Sequence, residues 1–232
     1  MLKILVLFLW KWIKRLALFF IISTVVAVIL YKWIPIPYTP LMIIRCFEQK
    51  AAGKPIKLEK DWVPLSQISA RLPEAVIASE DQKFEEHFGF DIEAIEKAQQ
   101  YNARMKGKRV RGASTITQQT AKNVFLTQSR TYWRKALEVY FSFLIEVCWS
   151  KERIMEVYLN VIEMGDGIYG AEAAAQAYFN KSALKLTAKE ASLIAACLPN
   201  PRIYIANKPS RYIERKSVWI MRAMRRLDYK NF

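Results

Sequence analysis

Two adjacent carboxylates stand at the end of an apolar helical run, in the segment that reads ASEDQKFEEHFGFD from residue 78 to residue 91. At a helix C-terminus, Glu80 and Asp81 would face the negative end of the dipole, which disfavours an ionised carboxylate. Burial beside Phe84 would act in the same direction and would make a useful general acid or base near neutral pH. The alternative is ordinary surface carboxylates, the interpretation we prefer for Glu85, Glu86 and Glu93.

A second segment, residues 109–123, is dense in amides, hydroxyls and cations and has no acidic residue. We expect Ser114 to cap a helix here. Side chains three or four residues apart then share one face, which would carry Thr115, Gln118, Gln119, Lys122 and Asn123. With the free N–H groups of the helix N-terminus, these donors suit phosphate and sugar oxygens. A polar helix face that is simply solvated is the alternative.

Charge along the chain is segregated around these two segments. Residues 74–96 hold eight acidic residues, whereas residues 101–135 hold nine basic residues and no acid. This order suits a base beside an anion clamp, although two helix faces that pair with each other would explain it as well. Arg134 and Glu138, spaced i and i+4, form a routine helix ion pair worth about 0.3–0.5 kcal/mol if considered alone.

The elements that must position these groups are predicted to be helices. After Pro64 the pattern is helical almost throughout, and no convincing strand or repeat is found. Helices are expected in the stretches EAVIASED, TITQQTAKNVF, TYWRKALEVYFSFLIEVCW, KERIMEVYLN, GAEAAAQAYF and ASLIAACL, and in a basic helix near residues 210–227. Ser150 and a Thr187–Glu190 capping box begin two of them. Residues 35–63, punctuated by prolines, are interpreted as a linker and entry segment.

The N-terminal region predicts a membrane anchor. No charge occurs from Leu16 to Tyr31, and the 19 residues from 16 to 34 would span roughly 28 Å as a helix. Four cations precede this run, a bias that places the N-terminus in the cytoplasm. A cleaved signal peptide is the alternative, but the run is long for one and no small-residue cleavage site follows it.

Composition limits the partners and cofactors. Lys and Arg total 36 against 21 Asp and Glu, a net charge of +15 that predicts a polyanionic partner. Because the anchor places nearly all of the chain outside the cytoplasm, nucleic acid is not expected as that partner. The three cysteines have no spacing typical of a disulfide framework or a zinc site. The chain also has no D-x-D pair for metal-dependent nucleotide-sugar chemistry.

Four of these segments resemble, in order, the leading motifs of the peptidoglycan glycosyltransferases that polymerise lipid II: ASEDQKFEEHFGFD, RGASTITQQTAKN, RKALE and KERIMEVYLN. The stretch YGAEAAAQAYFNKSALKLTAKEASLIAACLPNP resembles the fifth motif. The resemblance covers about residues 63–224. The same domain opens the class A penicillin-binding proteins, but no transpeptidase region follows here, so we expect a monofunctional member. Two departures from the family pattern, Ala113 and Thr120, remove no chemical role.

The resemblance implies a mostly α-helical protein: one transmembrane helix followed by a lysozyme-like, two-lobed glycosyltransferase domain. We expect a cytoplasmic stub and anchor at 1–34, a linker or jaw entry segment at 35–63 and the catalytic domain at 64–232. A single-pass protein of the bacterial inner membrane is implied, with the domain on the periplasmic side. The implied reaction is inverting transfer: an acceptor 4-hydroxyl attacks MurNAc C1, and undecaprenyl pyrophosphate leaves.

The resemblance also implies roles for single residues. Glu80 would be the general base and Glu138 a second glutamate near the donor sugar. Lys122, Arg134 and the basic loop at 106–111 would stabilise the pyrophosphate. Sugar and phosphate oxygens would be held by Ser114, Thr115, Gln118, Gln119 and Asn123, with Asp81, Lys83 and Phe84 beside the base. His87 would have a structural role.

The implied partners are lipid II, the growing glycan strand and membrane lipid, with division or elongation proteins as further candidates. No cofactor is required, although a divalent cation at the pyrophosphate is compatible with the sequence. Two other functions remain open. A murein-cleaving lytic enzyme could share the fold and a single acidic glutamate, but it has no use for an anion clamp. A non-enzymatic membrane scaffold would not need Glu80 at all.

Overall fold

A computed structural model describes residues 2–105, 112–129, 131–227 and 229 of the chain. It divides into two compact units, residues 1–35 and residues 36–232. The basic loop at 106–111, to which the sequence assigns pyrophosphate contacts, lies outside the described residues, as does Arg130.

The first unit is a single helix, α1 (Leu2–Leu30). Its portion Val6–Leu30 is long and apolar enough to cross a membrane, and its large apolar side chains are mostly exposed. The helix differs at both ends from the apolar run 16–34 that the sequence assigns to the span, since it begins at Leu2 and ends at Leu30. Charged and aromatic residues before Leu16 do not interrupt a helix, whereas Pro35 disfavours helical geometry at the residue before it and the helix gives way to turns after Leu30.

The second unit begins with a helix where the sequence predicts an irregular linker. Helix α2 (Pro40–Ala51) starts with Thr39, whose hydroxyl accepts a hydrogen bond from the Met42 N–H at 3.4 Å. Pro40 occupies the first helical position, where its missing N–H has no cost. Pro40, one of the prolines that suggested a linker, therefore defines the start of a helix.

The domain is mostly helical, as expected, but it also contains three short strands that the sequence did not reveal. β3 (Ile168–Tyr169) pairs in parallel with β1 (Glu59–Lys60) and antiparallel with β2 (Glu163–Gly165). Strands of two or three residues are too short to produce an alternating pattern that could be recognised in the sequence. Gly167, at φ +71°, turns the chain between β2 and β3, where an added Cβ would lie 2.4 Å from the Lys57 carbonyl oxygen.

The remaining helices of the described chain are α3 (Arg71–Glu80), α4 (Ile92–Arg104), α5 (Ile116–Phe125), α6 (Tyr132–Cys148), α7 (Lys151–Val161), α8 (Ala171–Phe179), α9 (Ala188–Cys197) and α10 (Arg211–Met224). The caps predicted at Ser150 and in the Thr187–Glu190 box are confirmed, and Ser210 caps α10 in the same way. The cap of α5 is Thr115, not Ser114 as predicted.

The core that positions the site is built around two helices with few exposed side chains. On α9, all residues from Ala191 to Cys197 are buried, and this helix packs against both α3 and α10. On α7, Tyr158 and Leu159 are fully buried, and α7 packs against α5. The contacts of α9 with α3 and of α7 with α5 hold the end of α3 and one face of α5 in fixed positions. The candidate site lies at the end of α3 and on this face of α5.

Candidate active site

A cavity of about 680 Å³ opens at the C-terminal end of α3. Its walls come from Glu80 and the loop after it, from the N-terminal part of α4, from residues 112–115, and from Gln119 on α5. Pro199 and the half-exposed Trp219 of α10 complete the lining. Four segments that are distant in sequence therefore surround the carboxylate that the sequence selects as a base.

Glu80 is the last residue of α3 and is half-buried at the cavity wall. Its Oε1 accepts a hydrogen bond from the Ser79 hydroxyl at 3.2 Å, and its Oε2 accepts one from the Gln119 side-chain amide at 3.1 Å. Glu80 is therefore oriented by two neighbours and also open to a substrate.

A half-buried cation also interacts electrostatically with Glu80, and sequence reasoning did not identify it. Lys216 of α10 donates to the Ala196 carbonyl oxygen at 3.4 Å. Burial lowers the pKa of Lys216, while the charges of Glu80 and Cys197 act in the opposite direction. Nothing in the basic pattern of the C-terminal helix distinguishes this lysine from its exposed neighbours, because the distinction depends on how α10 packs on α9.

Asp81, adjacent to Glu80, is a structural link. Its buried carboxylate accepts hydrogen bonds from His87 Nε2 at 2.9 and 3.0 Å and from the Ile116 N–H, at the start of α5, at 3.0 Å. This arrangement supports the structural role expected of His87. Because Asp81 joins the end of α3 to the beginning of α5, it fixes the distance between Glu80 and Gln119.

A second set of contacts holds the loop that contains His87. The Lys151 ammonium donates to the His87 carbonyl oxygen at 2.7 Å and to Glu146 at 2.8 Å. The Thr115 hydroxyl donates to the Gly89 carbonyl oxygen at 2.7 Å. The loop after Glu80 is thereby attached to the start of α5 and to α7, and Lys151 links it indirectly to α6.

The expectation of one polar face along α5 is wrong. Thr115 and Gln118 form a capping box in which each side chain accepts a hydrogen bond from the other's backbone, at 3.1 and 3.2 Å. The Asn123 amide donates to the Gln119 carbonyl oxygen at 2.8 Å. The side chains of Thr115, Gln118 and Asn123 are all buried, and their hydrogen bonds are made within the protein. Gln119 and Lys122 remain as the polar groups of α5 that are not fully buried.

The other residues predicted to contact substrate also divide into accessible and buried side chains. Ser114 is exposed and lines the cavity, and Lys83 lies at its rim in an ion pair with Glu93. Phe84 is fully buried, with the Lys151 ammonium 4.7 Å from the centre of its ring. The ring lies on the inner side of the loop and is used for packing here, so the substrate contact expected of Phe84 stays a prediction.

A cationic cluster lies around Glu138 of α6. Arg134 and Lys135 form ion pairs with its nearly buried carboxylate. Lys122 of α5 faces the same group, and Glu138 is the neighbouring charge that most favours its protonated form. Three cations near one carboxylate leave an excess of positive charge. The buried Nε–H of Arg134 has no hydrogen-bond partner among the described residues, so the cluster also retains an unused donor.

Helix α5 connects the cavity to this cluster. Gln119 contacts Glu80, and Lys122, three residues later, faces Glu138. Three residues correspond to about 4.5 Å along a helix axis. Gln119, which contacts the carboxylate, and Lys122, which faces the cluster, therefore lie about one helical turn apart on one rigid element. This separation suits a reaction in which a hydroxyl loses its proton at one end and an anion departs at the other.

The lowered pKa of Lys122 gives a testable pH dependence. Burial is the largest cause, and Arg134 and Lys135 add to it, so Lys122 loses its proton at a lower pH than an ordinary lysine at 10.5. Because the protonated form would bind the anion, we expect kcat to fall on the alkaline side before pH 10.5. In a Lys122→Arg variant, the alkaline limb should move to higher pH. An unchanged limb would assign that titration to another group, such as Lys216.

The fold and the site together define a mostly helical protein that has one helix of membrane-spanning length, a hydrogen-bonded carboxylate at a cavity and a cationic cluster nearby. Within the described part of the chain, no cluster of three or more His, Cys, Asp or Glu side chains has the arrangement of a metal site.

Comparison with known proteins specifies the class. The family model described as Transglycosylase matches residues 49–225. The biosynthetic peptidoglycan transglycosylase of Bdellovibrio bacteriovorus is 54% identical over 203 residues, which cover 88% of this chain and 80% of that protein. The proteins of the same name from Bacteroides thetaiotaomicron and Pseudomonas syringae are 53% and 50% identical, covering 92% and 93% of this chain and 86% and 90% of their own lengths. The chain belongs to the transglycosylase family, as its motifs indicated.

Proposed function

We propose that this transglycosylase builds the glycan strands of peptidoglycan by joining the disaccharides of lipid II through β-1,4 bonds. Family membership and the names of the relatives support peptidoglycan as the product. One observation carries the mechanism: α5 holds the carboxylate of Glu80 through Gln119 and faces the cluster around Glu138 through Lys122.

In the proposed reaction, the Glu80 carboxylate takes the proton of the acceptor GlcNAc 4-hydroxyl. The hydroxyl oxygen forms a bond to C1 of the donor MurNAc. The bond from C1 to the pyrophosphate oxygen breaks at the same centre, and its electron pair leaves with undecaprenyl pyrophosphate. Because attack and departure occur on opposite faces of C1, the configuration is inverted.

The departing pyrophosphate is stabilised by Lys122 and Arg134. Both cations are partly removed from water, which strengthens their attraction for a developing negative charge. Glu138 holds Arg134 and Lys135 in position through its ion pairs. We propose that these cations fulfil the role that a divalent metal has in other glycosyl transfers, so that no cofactor is required.

Lipid II polymerisation by the detergent-purified protein tests this proposal. With labelled lipid II, we expect glycan strands of increasing length, as sized by gel or chromatography, and retention of activity in EDTA. Shortening of added glycan strands, without polymerisation, would instead identify a lytic enzyme. Absence of both activities would favour a scaffold. Loss of polymerisation in EDTA that is restored by Mg²⁺ would contradict the metal-free clamp.

We propose further that α1 is a single-pass anchor of the cytoplasmic membrane and that residues 36–232 lie on its outer side. The helix Val6–Leu30 has the length and composition of a span. Several cations lie near its N-terminal end, namely Lys3, Lys11, Lys14 and Arg15. The excess of cations on this side supports a cytoplasmic N-terminus.

Removal of residues 1–31 tests the anchor. The second unit has its own buried core, so we expect the truncated protein to fold with a nearly unchanged melting temperature. Its activity on lipid II in bilayers should fall, because the anchor raises the local concentration of enzyme at its substrate. On lipid II in detergent micelles the difference should be smaller. Equal activity of both forms on bilayers would contradict a concentrating role for α1.

A further inference from the structure

The segment KERIMEVYLN, which forms most of α7, contains a buried hydroxyl to which the proposed reaction gives no role. Tyr158 is fully buried, and α7 packs against α5. Its hydroxyl lies 3.3 Å from Oε1 of Gln119. A buried tyrosine hydroxyl normally requires a partner, and here the partner is the same glutamine that contacts Glu80.

The contacts form a directed chain of three residues. The Tyr158 hydroxyl donates to Oε1 of Gln119, and the Gln119 amide nitrogen donates to Oε2 of Glu80 at 3.1 Å. A rotation of the Gln119 amide by 180° would place its oxygen against the carboxylate, where two acceptors repel each other. The donor from Tyr158 therefore selects the amide orientation that presents N–H groups to Glu80.

The hydroxyl of Tyr158 stays protonated over the working range of the protein. Burial, with Glu80 and Asp81 nearby, raises the pKa of Tyr158 well above its ordinary value of 10. Because the side chain remains a neutral donor, its contact with Gln119 does not change with pH. A change in the pH dependence of a Tyr158 variant would therefore come from other groups of the site.

We propose that Tyr158 is a positioning residue for the reaction: through the Gln119 amide, it holds the Glu80 carboxylate in the orientation that accepts the acceptor's proton. This inference rests on the proposed role of Glu80 as base. Tyr158 does not contact the substrate, since it is fully buried. Its contribution should consequently be seen in kcat and not in KM.

Tyr158→Phe removes one hydroxyl and retains the ring that fills the core. We expect kcat to fall about fivefold to tenfold, the effect of one lost hydrogen bond. KM should change little. Without the constraint, the amide can turn its oxygen toward Glu80, so the acid limb of the pH profile of kcat should move to higher pH.

A matched control is Tyr169→Phe. Tyr169 is also fully buried, and its hydroxyl has no hydrogen-bond partner among the described residues. This variant loses the same atom from the core but should keep the wild-type kcat and acid limb. Equal kcat and pH profiles in the two variants would overturn the proposal. So would a loss in Tyr158→Phe that merely follows a lower melting temperature, with no change in the pH profile.

A double-mutant cycle with Gln119→Leu tests the order of the chain. If Tyr158 acts through Gln119, adding Tyr158→Phe to Gln119→Leu should lower kcat by less than twofold further, since the path is already broken. Losses that multiply would overturn the proposal. The result for Glu80→Gln separates this inference from its premise. An active Glu80→Gln variant contradicts the proposed base, whereas an inactive one with a normal Tyr158→Phe variant contradicts only the positioning role.

Discussion

Glu80→Gln is expected to lower kcat on lipid II by at least ~10²-fold, because the variant has no carboxylate to take the acceptor's proton. The fold should be retained. A glutamine at position 80 can offer its oxygen to the Gln119 amide and its nitrogen to the Ser79 hydroxyl, so both present contacts have a substitute. Single-turnover kinetics and a thermal unfolding curve would measure the two effects separately.

Glu86→Gln is a suitable control for this experiment. Glu86 is an exposed residue of the same loop and does not line the cavity. Glu86→Gln removes one carboxylate charge, as Glu80→Gln does, but six residues away. We expect its kcat to stay within about twofold of the wild-type value, as for a surface change. Turnover of Glu80→Gln close to that of Glu86→Gln would show that Glu80 is not the base.

Lys122→Ala is expected to reduce kcat by roughly 10²-fold or more, through loss of charge stabilisation at the departing pyrophosphate. Glu138 keeps its ion pairs with Arg134 and Lys135 in this variant, so the carboxylate is not left unpaired. Removing a partly buried ammonium also removes its desolvation cost. The melting temperature should therefore change much less than kcat.

Arg226→Ala separates a local clamp from a general basic field. Arg226 is exposed and follows α10. Its loss should leave kcat near wild type and weaken membrane association by about 1 kcal/mol. Salt should reduce the effect of Arg226, which is exposed to counterions, more than that of Lys122. Comparable losses of kcat in the two variants, with the same salt dependence, would contradict the clamp at Lys122.

Much of the local structure could be predicted from the sequence because it depends on near neighbours. Ser150 and Thr187 cap helices at the predicted positions, and the hydroxyl of each bonds to a backbone N–H three residues ahead. The placement of Glu80 at the end of α3 followed in the same way, from an apolar run that stops. The errors at Thr115 and at Pro40 are also local. At Thr115 the helix cap had two candidate residues, and Pro40 is compatible both with a linker and with the first turn of a helix.

The functions of side chains on α5 could not be assigned from their types. Gln118 and Gln119 are adjacent and chemically identical, yet one closes a capping box and the other contacts Glu80. Adjacent residues on a helix point about 100° apart. Which of the two reaches the cavity depends on how α5 is rotated against α6 and α7, and the whole core determines that rotation.

The sequence by itself determined the class of this protein: an apolar helix of membrane-spanning length, a helical domain, a terminal carboxylate and a cation-rich segment in a characteristic order. Tertiary structure alone decided which groups act on Glu80. Gln119 lies 39 residues from Glu80, Tyr158 lies 39 residues from Gln119, and Lys216 arrives from α10. No local preference brings such residues together. Their contacts exist because burying α7 and α9 in one core fixes the helices around them, and that packing aligns the polar groups of the site.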